Sequence, residues 1–91
     1  MKNIFNLIPR WHKITYCPIE GKERLAVDAA YNAIAYTCQS GRSVAQFIAY
    51  ENDDDVAMIE IFCSRETFQI FLSEFKSRSA KYIWRITKVS K

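Results

Sequence analysis

The stretch YENDDDVAM, Tyr50 to Met58, sets four carboxylates in five residues between two apolar runs. Read as a metal loop, it would be a site in its own right. Read as a turn, it joins two strands and decides the order of the whole chain. A calcium loop needs ligands at spaced positions and a glycine at the bend. Glu51-Asn52-Asp53-Asp54-Asp55 has neither. Adjacent acids on a short turn point different ways, and Asn and Asp side chains bond their own backbone, which favours turns. The flanking segments, residues 43–50 (SVAQFIAY) and 56–63 (VAMIEIFC), are rich in β-branched and aromatic residues and similar in length. The stretch therefore reads as a hairpin turn whose charge keeps that end of a sheet soluble.

Working outward, the segment after the hairpin is a helix. In residues 64–79 (SRETFQIFLSEFKSRS), Phe68, Phe71, Leu72 and Phe75 recur at i, i+3, i+4 and i+7. Ser64 suits the N-cap, Glu66 the first turn, and Lys76 and Arg78 the last, all in accord with the helix dipole. Glu74 and Arg78 can pair across one turn. Residues 81–89 (KYIWRITKV) follow as a strand, with Tyr82, Trp84 and Ile86 assigned to one side.

Before the hairpin, residues 22–39 read as an alanine-rich helix. Val27, Ala30 or Tyr31, Ile34 and Cys38 form its stripe, Gly21 is its expected N-cap, and Ser40-Gly41 its stop. So many alanines suggest close approach to a flat surface. Residues 11–17 (WHKITYC) alternate as a first strand, with Ile14 and Tyr16 on one side and Trp11, Lys13 and Thr15 on the other. The order β-α-β-β-α-β predicts an α+β, single-domain ferredoxin-like sandwich: a four-stranded antiparallel sheet, spatial order 4-1-3-2, with two helices on one face. The alternative is an α+β domain lacking the first strand. Residues 1–9 are read as a potential N-terminal arm.

At 91 residues, one core and one domain over 1–91 are expected. Apolar residues make up 49% and charged residues 25%, the balance of a soluble globular chain. No apolar run approaches the ~20 residues of a membrane span, and Asn3, Asn6 and Arg10 interrupt any signal-peptide core. A cytoplasmic location is expected, with no membrane association. Cys17, Cys38 and Cys63 are odd in number and lack CxxC spacing, which reads as buried free thiols.

Charge is unevenly spread. Residues 1–19 and 76–91 carry nine cations and no acid, whereas residues 20–75 carry ten acids and four cations. Strands one and four are neighbours in the expected topology, so the basic ends should meet at one edge. The sheet face away from the helices would then carry Trp11, Lys13, Met58, Glu60, Phe62, Lys81, Arg85 and Thr87.

Catalytic motifs are missing. Gly21-Lys22 lacks the upstream glycine of a phosphate-binding loop, and Glu23 stands where Ser or Thr would hold magnesium. His12 is the only histidine, read as a half-buried surface residue. No catalytic residue, metal, cofactor or small-molecule substrate is expected. The composition points to a small non-enzymatic protein-interaction module (an inhibitor, adaptor or assembly subunit). Such small domains are common among virus and mobile-element proteins. Its expected partner is another protein or a second copy of itself. Trp11, Lys13, Met58, Phe62, Lys81, Arg85 and Lys88 are the expected binding residues. The alternative is nucleic-acid binding through the basic first and fourth strands. Against it, the third strand lacks the glycine and paired aromatics of an RRM signature.

Overall fold

The hairpin forms. In the computed structural model, which describes residues 7–51 and 55–90, Tyr50 stands opposite Met58 and Glu51 opposite Ala57. The chain therefore reverses between them. Asn52, Asp53 and Asp54, the middle of the acidic turn, lie outside the described residues. Asp55 closes the turn at φ +58°, a left-handed conformation that Asp accepts more readily than most residues.

Six elements follow in order: β1 (Arg10–Pro18), α1 (Glu23–Gln39), β2 (Val44–Glu51), β3 (Ala57–Cys63), α2 (Arg65–Ser79) and β4 (Ile83–Ser90). The strands form one sheet in the order β2-β3-β1-β4, antiparallel at each step. This is the ferredoxin-like α+β arrangement, and the presence of β1 removes the alternative in which residues 1–17 form an arm. Among the described residues, no helix is long and apolar enough to cross a membrane.

Strict alternation places the core. On β3, Ala57, Ile59, Ile61 and Cys63 are buried while Met58, Glu60 and Phe62 are partly exposed. On β1, His12, Ile14 and Tyr16 take the same helix-facing side. His12 is 1% exposed and stacks on Phe68 at 4.4 Å between ring centroids, so it is a core residue and not a half-buried surface one. Tyr16 meets Phe75 edge-on, and its hydroxyl has no hydrogen-bond partner among the described residues. Burial, with Glu51 nearby, pushes its pKa up to about 12. Burial also raises the Cys63 thiol to about 11.

α2 follows its sequence pattern closely. Ser64 Oγ accepts from the Thr67 backbone N–H at 3.1 Å, Phe68, Phe71, Leu72 and Phe75 are buried, and Arg78 pairs with Glu74 at 3.0 Å. α1 departs from its pattern. Its buried side chains are Ala26, Ala29, Ala30, Ala33 and Thr37, whereas Tyr31 and Cys38 are exposed. The helix is rotated so that its smallest side chains face the core, which lets the backbone approach closely. Hence Cys38 is not a buried thiol, although Cys17 and Cys63 are, and all three are free.

The N-cap of α1 is Lys22, one residue later than expected, and it makes no side-chain capping bond. Gly21 instead adopts φ +81° in the preceding turn, where its N–H donates to Glu23 Oε1 at 3.1 Å. The C-terminal stop is as expected: Gly41 sits at φ +83°, donating to the Cys38 carbonyl, while Arg42 donates to that of Thr37. These are the two bonds of a Schellman motif, with glycine at the left-handed position.

β4 holds the main correction to strand orientation. Thr15 faces Lys88 but Tyr16 faces Ile86, and Cys17 faces Arg85 but Pro18 faces Ile83. Thr87 and Trp84 are thus extra residues in two bulges, each of which resets the alternation. Ile83, Ile86 and Val89, three apart, all pack on the core. Trp84, expected to point inward with Ile86, is 60% exposed.

Candidate interaction surface

The helices cover one side of the sheet, and residues opposite one another on neighbouring strands share a side. The uncovered side can therefore be read row by row from β2 to β4. The first row runs Gln46, Phe62, Trp11, the second Ile48, Glu60, Lys13, Ser90, and the third Tyr50, Met58, Thr15, Lys88. At the end of β1, Cys17 stands opposite Arg85, whose Nε lies 3.5 Å from Sγ.

These rows divide the face lengthwise. The β2/β3 half carries Ile48, Tyr50, Met58 and Phe62, extended at one end by Trp11, whose ring lies 5.5 Å from that of Phe62. Trp11 is 46% exposed, and Ile48 and Tyr50 are each 37% exposed. The β1/β4 half carries Lys13, Lys88 and Arg85. Between the halves stands Glu60, which accepts from the Tyr50 hydroxyl at 3.2 Å and faces Lys13 across the β1–β3 ladder. The Tyr50 hydroxyl also lies 3.5 Å from Met58 Sδ. Burial and the acceptor Glu60 raise the Tyr50 pKa above its ordinary value.

Trp11, Lys13, Met58 and Phe62 thus come together on this face, with Arg85 and Lys88 along its β4 margin. Lys81 does not join them. It lies in the turn between α2 and β4, before the strand begins at Ile83. Ile48 and Tyr50 are face residues that the sequence reading left out. Alternation could have found them, because Phe47 packs on the core and its neighbours on β2 must point the other way.

A second feature lies at the end of the sandwich. A hollow of about 340 Å³ is lined by Glu20, Glu23, Glu51 and Asp55, with Trp84 on its wall. Glu20 comes from the β1–α1 connection and Glu23 from the first turn of α1, so the acidic end of the sheet reaches beyond the hairpin. Among the described residues, no three His, Cys, Asp or Glu side chains are grouped as a metal ion would require.

No protein-family model matches the chain, and no curated protein matches it. Among solved structures, the chain is similar to the solution structure of the C-terminal domain of the MgtC protein from Mycobacterium tuberculosis. The TM-score is 0.56 at 9% identity, over 99% of this chain and 94% of that one. The fold is shared. At that identity the likeness carries the architecture and nothing about partners.

Proposed function

We propose that this domain is a small non-enzymatic protein-interaction module that binds through the uncovered face of its sheet. The observation that carries this reading is the division of that face. A contiguous strip of Trp11, Phe62, Met58, Tyr50 and Ile48 lies beside Lys13, Lys88 and Arg85. Aromatic residues, Met and Arg are the types that anchor protein interfaces, and a strip of this kind costs free energy while it faces water. The sheet supplies a rigid platform, so little ordering entropy opposes binding.

Nucleic acid would meet the same cations and could stack on Trp11, but Glu60 stands in the middle of the face and would repel phosphates. The test pairs Trp11→Ala with Arg85→Glu. The double variant should lose a captured protein partner while its circular dichroism spectrum and melting temperature stay close to wild type. Paired anchors of these types typically contribute about 2 kcal/mol each or more. Capture that survives the double variant but fails on substitution of exposed helix residues such as Tyr31 would move the surface to the helical side. Binding of oligonucleotides that collapses between about 50 and 200 mM salt would favour the nucleic-acid reading instead.

A further inference from the structure

Resting on that reading, we infer that the occupant of the uncovered face is a second copy of this chain, packed face to face about a two-fold axis. The argument comes from the rows. Place the axis between the two sheets, parallel to the strands and midway between β3 and β1. Each copy's β1 then lies over the other's β3, and each copy's β4 over the other's β2. Row by row, the basic half of one face meets the apolar and acidic half of the other.

The pairing is complementary at the centre of every row, where β3 of one copy meets β1 of the other. Phe62 meets Trp11 of the second copy, aromatic against aromatic. Glu60 meets Lys13. Because Glu60 and Lys13 are also neighbours within each sheet, the four side chains alternate in sign around the axis. Met58 meets Thr15, and Tyr50 meets Lys88, a cation positioned for an aromatic ring. A two-fold contact requires a self-complementary patch. Two sheets packed on their inner faces leave about 10 Å between them, enough for these side chains to interdigitate.

The extent of the face fits a reversible association. Four strands about 4.8 Å apart and seven residues rising about 3.3 Å each give a footprint of roughly 440 Å² per copy. The pair would bury about 900 Å² or slightly more, at the low end of specific interfaces. The apolar strip supplies the affinity, and the central charges fix the register, since buried ion pairs specify more than they stabilise.

Sedimentation of the protein from about 1 to about 500 µM tests the inference. Wild type should pass from monomer to dimer within that range. Lys13→Glu and Glu60→Lys each place like charges opposite one another across the axis, and each should weaken the dimer at least about 10-fold. An equimolar mixture of the two single variants should recover it, because the mixed pair again sets Lys against Glu at both positions. An effect confined to one chain cannot produce that recovery. Lys88→Glu, at an exposed position, gives an independent readout of the Tyr50 contact and should also weaken association.

A wild type that stays monomeric to the highest concentration overturns the inference. So do single variants, including Lys88→Glu, that dimerise as wild type does, or a mixture no better than its components. A monomeric wild type that still captures another protein through Trp11 and Arg85 would remove the second copy and leave the proposed function standing. A dimer indifferent to all these changes would place its contact elsewhere.

Discussion

α1 and α2 lie side by side on the same face of one sheet, yet they bury opposite kinds of side chain. α2 buries three phenylalanines and a leucine, with Thr67 and Ser79 toward its ends; α1 buries four alanines and a threonine. α2 fills the space above the sheet by volume, and α1 by approaching it closely. Their ends differ as well. α2 has a bonded N-cap, an acid in its first turn and cations in its last, whereas α1 has no side-chain cap and no cation in its last turn. A helix that fills space with large side chains announces its buried face in sequence. A helix that approaches through small ones does not, because alanine is equally at home inside and outside.

The contrast can be broken most sharply at Phe71. It is fully buried and contacts the rings of Phe47, Phe68 and Phe75. Phe71→Ala should destabilise the domain by roughly 3–5 kcal/mol in chemical denaturation, the usual cost of deleting a core aromatic. A melting temperature within a degree or two of wild type would show that α2 does not fill the core.

The next largest effect lies in the layer beneath α2. The Tyr16 hydroxyl keeps its proton in the folded state up to about pH 12, whereas the unfolded chain releases it near the ordinary value of 10.0. Its stabilising contribution is therefore complete below pH 10 and lost as pH rises toward 12, up to about 3 kcal/mol. Cys63, raised from 9.0 to about 11, acts in the same direction over a window one unit lower. Tyr16→Phe should roughly halve the alkaline loss in pH-dependent urea titrations. It should change stability near pH 7 by less than about 1 kcal/mol, since the deleted hydroxyl has no partner to lose among the described residues. An unaltered alkaline profile would show that this layer admits water.

On α1 the sign of the volume effect should invert. Ala33 is fully buried, so Ala33→Leu adds bulk where the helix needs contact and should cost about 1–3 kcal/mol. A gain in stability would mean that α1 stands off from the core. At the helix ends, Ser64→Ala should cost about 1 kcal/mol through loss of the bond to Thr67. Smallest of all, Leu25→Ser on the exposed side of α1 should stay within about 0.5 kcal/mol, although the residue is apolar.

The uncovered face was legible to the extent that alternation held. β3 alternates throughout and β1 from Trp11 to Tyr16, so Trp11, Lys13, Met58 and Phe62 could be placed on one side from the sequence. Lys81 was misplaced because the start of β4 depends on where α2 unwinds, and a helix end fixed by packing leaves little trace among local residues. Trp84 was misplaced because each bulge inserts one residue and shifts the following parity.

Residue order alone determined the topology, the hairpin at Tyr50–Met58, the buried stripe of α2 and the glycine stop of α1. Each rests on local chemistry: turn-forming side chains, a period of two or of 3.6, and a left-handed position that suits glycine. The tertiary structure alone decided which side of α1 is buried, that His12 stacks inside the core, and which β4 residues reach it. It also brought Glu20 and Glu23 beside Glu51 and Asp55. These outcomes depend on how closely one element can approach another and on how the β1–β4 ladder absorbs two extra residues. Such quantities belong to pairs of elements distant in the chain, and no window along a single strand or helix contains them.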